Sequence, residues 1–141
     1  MFYDLSMFKK ISGWGNNTKF YSNIFYPKNI SELKKMMQTT CIARGMGRSY
    51  GDSAIQPNCT ISTLQMNKVI SFDKRNGIIE VESGISIRSL LKQIVKLGWF
   101  LPVTPGSKDI SIGGMIASDV HGKNHHRVGN FKNFILELKL I

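Results

Sequence analysis

Acidic residues are scarce in this chain: 9 Asp and Glu stand against 19 Lys and Arg, leaving a formal charge of +10. Such a surplus favours anionic partners such as phosphates, nucleic acid or acidic lipid. Nucleic-acid binders concentrate their charge on one face or helix, whereas here it is scattered and no basic run exceeds two residues (Lys9-Lys10, Lys34-Lys35). A solvated basic surface is therefore the preferred reading, and no nucleic-acid partner is expected. A noncatalytic anion- or nucleic-acid-binding module stays as the alternative from a different functional class. Cysteine is sparse too. Cys41 and Cys59 are too few for a disulfide scaffold and lack metal-ligand spacing. The start has no basic head followed by an apolar run, so no secretory signal is read. Reduced thiols and a cytoplasmic location are the resulting expectation. No apolar stretch approaches the roughly 20 residues that span a bilayer, and no Gly-Lys-Ser/Thr ending marks a P-loop.

What is present suits a folded domain. With 42% hydrophobic residues over 141 positions, the chain can bury roughly two-thirds of its unfolded surface around a core. Residues 1–25 are rich in aromatics, Gly and Asn without a clean period and read as an irregular segment. Asn29-Ile30-Ser31-Glu32 reads as a capping box that starts a short amphipathic helix over about 30–39. Thr40–Ala43 and Thr60–Leu64 read as short strands. Val69–Phe72 and Ile78–Glu82 read as a hairpin closed through Asn76-Gly77. Ser86 caps a helix whose stripe is Ile87, Leu90, Leu91, Ile94 and Leu97, and Gly98 stops it. Trp99–Val103 reads as a further strand, and so does Phe134–Ile141, whose apolar alternation would need a partner strand. The order is that of an α+β fold, a small mixed sheet with flanking helices.

Two glycine-rich stretches carry the chemistry. The first is Ala43-Arg44-Gly45-Met46-Gly47-Arg48-Ser49-Tyr50-Gly51-Asp52-Ser53. Its glycines let the backbone approach a ligand closely, successive N–H groups can form an anion nest, and Arg44 and Arg48 add charge. The spacing is one residue off the dinucleotide fingerprint and no amphipathic helix follows, so a Rossmann fold is not expected. A plain loop with surface arginines is the competing reading. The second stretch runs from Pro105-Gly106 through Ser111-Ile112-Gly113-Gly114 to Ser118-Asp119-Val120-His121. Its glycine pair predicts a tight turn into a small-residue helix whose N-terminus would favour a diphosphate; a turn between packed elements is the alternative. His121, His125 and His126 invite a metal reading. Gly122 and Asn124 interrupt a continuous helix between them, and no Cys or Glu stands nearby to complete a ligand set.

The strings IARGMGRSYGDSA at 42–54, VTPGSKDISIGG at 103–114 and ASDVHGKNHHRVGNF at 117–131 together resemble the FAD-binding domain of the vanillyl-alcohol oxidase and p-cresol methylhydroxylase flavoproteins (PCMH-type). The similarity is strongest to the decaprenylphosphoryl-β-D-ribose oxidase-like, FAD-linked branch, and Ser12-Gly13-Trp14-Gly15 fits the start of that branch. This resemblance implies FAD lying between two subdomains, one over 26–104 and a second that begins at 105 and is incomplete at 141. It implies oxidation of a sugar hydroxyl, in this branch on a polyprenyl-phosphate-linked sugar, by hydride transfer to flavin; oxidation of a small polyol or aldonolactone is the nearer rival. Ala43 to Ser53 would grip the diphosphate, while Gly106, Ser111, Ile112, Gly113, Gly114, Ser118, Asp119, Val120 and His121 would line the rest of the cofactor. His121, Lys123, Trp14 and Tyr50 would line the substrate. Many members of the wider family tether FAD through a histidine in the first loop. Arg48 stands there in this chain, which implies noncovalent FAD. Family members are several hundred residues long, so no catalytic residue is assigned here, and these residues alone are expected to show no turnover and weak FAD affinity or none. The resemblance also implies a reductase partner that completes an epimerisation, and membrane association if the substrate is lipid-linked.

Overall fold

The computed structural model describes residues 6–37 and 40–141. It divides into two compact units, Met1–Met66 and Asn67–Ile141, so the subdomain boundary expected near 104 falls inside the second unit.

The first unit is built on a four-stranded sheet. β1 (Ser6–Ser12) and β2 (Lys19–Phe25) pair antiparallel along their whole length, from Ser6 opposite Phe25 to Ser12 opposite Lys19. This corrects the irregular reading of residues 1–25 over its described part, from Ser6 onward; residues 1–5 lie outside the described residues. Few positions on these strands are buried, and one of them is Ser22, whose hydroxyl donates to Thr60 Oγ1 at 2.8 Å. A polar residue at a core position hides the alternation that would betray a half-buried strand. α1 (Ile30–Met36) starts where Asn29 Oδ1 accepts from Glu32 N at 2.9 Å. The chain then enters β3 (Ile42–Arg44), runs through the glycine-rich loop, and returns in β4 (Thr60–Ser62). β4 lies between β2 and β3, parallel to both, which gives the order β1-β2-β4-β3. Ile11, Ile24 and Ile55 form the unit's small core, with Phe20 and Tyr26 packed against it.

Parallel pairing of β3 with β4 sets Ile42 opposite Thr60 and brings the preceding residues side by side. Cys41 and Cys59 are bonded to each other there, with Cα atoms 4.7 Å apart. The expectation of two reduced thiols is thereby overturned. Their separation of 18 residues carries no sequence signal, because adjacency arises only once the two strands pair.

In the second unit, β5 (Val69–Asp73) and β6 (Ile78–Val81) form the expected hairpin, with a bulge between Val69 and Ser71. α2 (Ile87–Ile94) is capped by the Ser86 hydroxyl accepting from Ser89 N, continues as a 3₁₀ turn over Val95–Leu97, and ends at Gly98 in the left-handed region. It buries Ile87, Leu90 and Ile94 with Ile85, Val103, Ile112, Met115 and Phe131. α2 is zipped to the following segment: Ile87 N donates to Ile110 O at 3.0 Å, Ile112 N donates to Ile85 O at 2.9 Å, and Arg88 grips Asp109 with two bonds of 2.6 Å. Trp99–Val103 forms no strand. Trp99 instead lies edge-on to Phe72 and donates from Nε1 to Lys74 O at 3.1 Å, covering the hairpin turn. α3 (Ile112–Ala117), the short α4 (His125–Val128) and a 3₁₀ turn over Phe131–Phe134 follow. Residues 135–141 are also not a strand; among the described residues no strand pairs with them, and Leu136 and Leu140 stay in solvent. Among the described residues no helix is long and apolar enough to cross a membrane.

Candidate functional site

The first glycine-rich loop leaves β3 at Arg44. The Arg44 side chain turns back to close the loop's base, donating from Nη2 to Ser12 O at 2.9 Å and from Nη1 to Ala54 O at 3.3 Å. Burial lowers its pKa, with Tyr26 acting weakly in the opposite sense. The sequence offers Arg44 as charge for a phosphate, and in the structure its guanidinium holds two backbone carbonyls. Gly47 belongs to the same arrangement. Its φ is +67°, and a Cβ there would run into the Arg44 guanidinium. Ser53 Oγ donates to Tyr50 O at 2.9 Å and tightens the far end.

The amides of the loop are the donors on offer. Among the described residues, no protein group accepts from the N–H of Gly45, Met46, Gly47, Ser49, Tyr50 or Gly51. Gly47 is buried, where an amide needs a partner, while the amides of exposed Tyr50 and Gly51 are open to solvent or a ligand. At Gly51 an added Cβ would meet nothing within 4 Å, so the backbone is open there. The Arg48 guanidinium lies over the Trp14 ring, 4.6 Å from its centroid. Trp14 and Tyr50 both face solvent. Trp14 and Tyr50, two of the four substrate-lining candidates, thus share a unit with this loop.

The second stretch behaves differently. The N–H of Ile112 donates to Ile85 O, that of Gly113 to Ser83 O at 2.8 Å, and that of Gly114 to Ser111 Oγ at 3.3 Å. The opening amides of α3 therefore have acceptors inside the protein. Gly113 serves close packing, since a Cβ there would press on Ser83. Gly106 stays open, with no atom within 4 Å of a Cβ built on it, and borders a groove of about 450 Å³ with Ile87, Phe100, Thr104 and Lys108.

Past α3, Ser118 is exposed and Val120 packs against the core. Asp119 has φ +39°. Its carboxylate accepts from Asn130 Nδ2 and Lys132 N, both at 3.1 Å, and pairs with Lys132 Nζ at 2.9 Å. The Lys132 ammonium, then the Asn130 amide, hold this carboxyl below the usual carboxylate range. Asp119 thus anchors the turn that follows it. Gly122 is buried, a Cβ there would press on Thr104 O, and Asn124 Nδ2 donates to Pro102 O at 3.1 Å. These contacts hold out a short exposed segment carrying His121, Lys123, His125 and His126. His121 and His125 meet edge to face at 5.0 Å, and His125 Nδ1 lies 3.1 Å from Gly122 O. Among the described residues no cluster of three or more His, Cys, Asp or Glu is disposed to hold a metal ion.

Sequence reasoning missed three features: the closing role of Arg44, the docking of Trp14 on the loop, and the Arg88–Asp109 clamp beside Gly106. The first had one local cue, a glycine three residues after an arginine. The others join residues 21 or more positions apart.

A family model described as an FAD binding domain matches residues 22–141. The decaprenylphosphoryl-β-D-ribose oxidase of Mycolicibacterium smegmatis is 30% identical over 141 residues, which covers 94% of this chain and 31% of that protein. A putative D-arabinono-1,4-lactone oxidase of Neurospora crassa is 30% identical over 122 residues, covering 81% of this chain and 21% of that one. The solved structure of an alkyldihydroxyacetonephosphate synthase superposes with a TM-score of 0.71 at 24% identity, over 86% of this chain and 24% of that one, a likeness of fold. The chain thus spans less than a third of the length of each of these proteins.

Proposed function

This chain belongs to the FAD binding domain family, and on that premise we propose that it forms the FAD-gripping portion of an oxidoreductase that oxidises a sugar hydroxyl. FAD is the family's cofactor. The donor set fits it: the amides of Gly45, Met46, Gly47, Ser49, Tyr50 and Gly51 suit the oxygens of a diphosphate, and Arg48 stands in the same loop. That run of unspent amides beside an open glycine is the observation that carries the reading. Gly106 borders room for a flat ligand in the second unit. His121 and Lys123, exposed on a segment pinned by Gly122 and Asn124, suit the hydroxyl and phosphate groups of a phosphate-linked sugar. When bound, FAD supplies a flavin ring able to accept a hydride from a CH–OH carbon. The chain's own part is to bind and orient: amides and Arg48 neutralise the diphosphate, and the lysine attracts an anionic substrate. No histidine stands in the first loop, which supports noncovalent binding. A reductase acting on the resulting ketone is the partner such chemistry would need to invert a sugar centre.

Titration of the purified chain with FAD tests this. Quenched flavin fluorescence is expected, weaker for these residues alone than for the longest natural polypeptide carrying them, and Gly51→Val, which adds a branched side chain at φ +57°, should abolish it. Absence of binding by the wild-type chain and by the longest natural polypeptide carrying it would remove the reading. The 30% identity to a lactone oxidase favours one rival substrate class, an aldonolactone or small polyol. Flavin reduction by lactones but not by phosphate-linked sugars, in that longest polypeptide, would select it.

A further inference from the structure

We propose that the turn Ser12–Gly15 between β1 and β2 is a strap that fixes the cofactor loop, with Trp14 as the positioning residue for Arg48. This turn precedes residue 22, where the match to the family model begins. The proposal rests on the reading of the loop as the diphosphate grip, and its test separates the two.

The turn meets the loop through backbone as well as side chains. Trp14 N donates to Ser49 O at 2.8 Å. Gly13 lies so close that a Cβ on it would run into the carbonyl oxygens of Gly51 and Ser49. Ser12 O takes one of the two Arg44 bonds that close the loop's base. The Trp14 ring supports the Arg48 guanidinium at 4.6 Å. The strap is itself rigid, because β1 and β2 are in register up to Ser12 opposite Lys19, and β2 is joined to β4.

Physical reasoning gives the strap a purpose. A glycine-rich loop with unpaired amides gains nothing inside the protein to hold those amides in line, and ordering it at the moment of binding costs affinity. Trp14 is 54% exposed, an unusual place for the largest apolar side chain unless its ring face is in use. A cation held over an indole retains its charge while losing rotamer freedom in advance. Trp14 is thus placed to act through Arg48 and Ser49.

The test compares Trp14→Ala, Trp14→Phe, Arg48→Met and the Trp14→Ala/Arg48→Met double variant. Trp14→Ala is expected to weaken FAD about tenfold, and Trp14→Phe, which keeps a ring face, to recover most of that. In the double variant the two losses should not multiply, because Trp14 acts through Arg48. Hydrogen exchange without FAD gives the second arm. Amides 45–51 should exchange about tenfold faster in Trp14→Ala while those of β5 and β6 keep their rates, which also shows that the variant is folded. Unchanged exchange at 45–51 would overturn the strap whether or not FAD binds. Losses that multiply fully, or no recovery by Trp14→Phe, would overturn the positioning role. A wild-type chain that binds no FAD but shows the exchange effect keeps the strap and removes only the cofactor reading.

Discussion

Replacing Arg44 with Met removes both guanidinium bonds and leaves the carbonyls of Ser12 and Ala54 facing the gap. Each unsatisfied acceptor is costly when water is partly excluded, so a loss of about 1–3 kcal/mol is expected in urea unfolding. Arg44→Lys should recover little of it, since one ammonium cannot reproduce a fork aimed at two carbonyls. Asp119 gives a pH signature. Its carboxyl is held low by Lys132 and Asn130, so the stability it contributes is present above the ordinary carboxylate pKa, about 3.9, and is lost as pH falls through its folded value. Asp119→Asn should accordingly flatten the acid limb of the stability curve below about pH 4 and leave its shape near neutrality unchanged, as read by melting temperature against pH. At this scale the sequence was legible for residue type but not for partner. Gly51 could be read as open backbone, whereas Arg44 looked like a phosphate ligand because its acceptors lie on Ser12 and Ala54, one of them 32 residues away.

Among the elements, α2 shows how far local chemistry reaches. Its apolar stripe, its Ser86 cap and its Gly98 stop are all short-range signals, and the helix forms where they say. Leu90 is 2% exposed in the middle of the core cluster, so Leu90→Ala should cost about 2–5 kcal/mol. Ser86→Ala should cost about 1 kcal/mol. Both are read by chemical denaturation. The strands divide by the same logic. β5 and β6 announce themselves through alternation and an Asn-Gly turn. β1 and β2 do not, because Ser22 is buried against Thr60, 38 residues further on, and only the finished sheet makes that polar position tolerable. Trp99–Val103 misleads in the opposite sense. Its apolar side chains serve the core cluster and the hairpin turn without any ladder. At the α3 N-terminus the acceptors for the amides of Ile112 and Gly113 come from Ile85 and Ser83, outside the helix, and no local signal announces them.

For the molecule as a whole, ligand linkage offers the broadest measurement. FAD at a hundred times its dissociation constant should stabilise the folded chain by about 2.7 kcal/mol, seen as a rise in melting temperature that grows with the logarithm of FAD concentration. Gly51→Val, strained at φ +57°, should melt below the wild-type temperature without FAD and show no rise with it. The +10 charge adds that the affinity for an anionic dinucleotide should fall as salt is raised, because exposed cations are screened beyond about 10 Å at 0.1 M.

The bond between Cys41 and Cys59 makes the whole glycine-rich loop part of a covalent ring. Tyr50, Gly51 and Asp52 are exposed within it, so a protease can cut there. The two halves of the nicked chain should migrate as a single species on a denaturing gel and separate only after a thiol is added. Mass spectrometry of the uncut chain would show the same ring as two hydrogens missing.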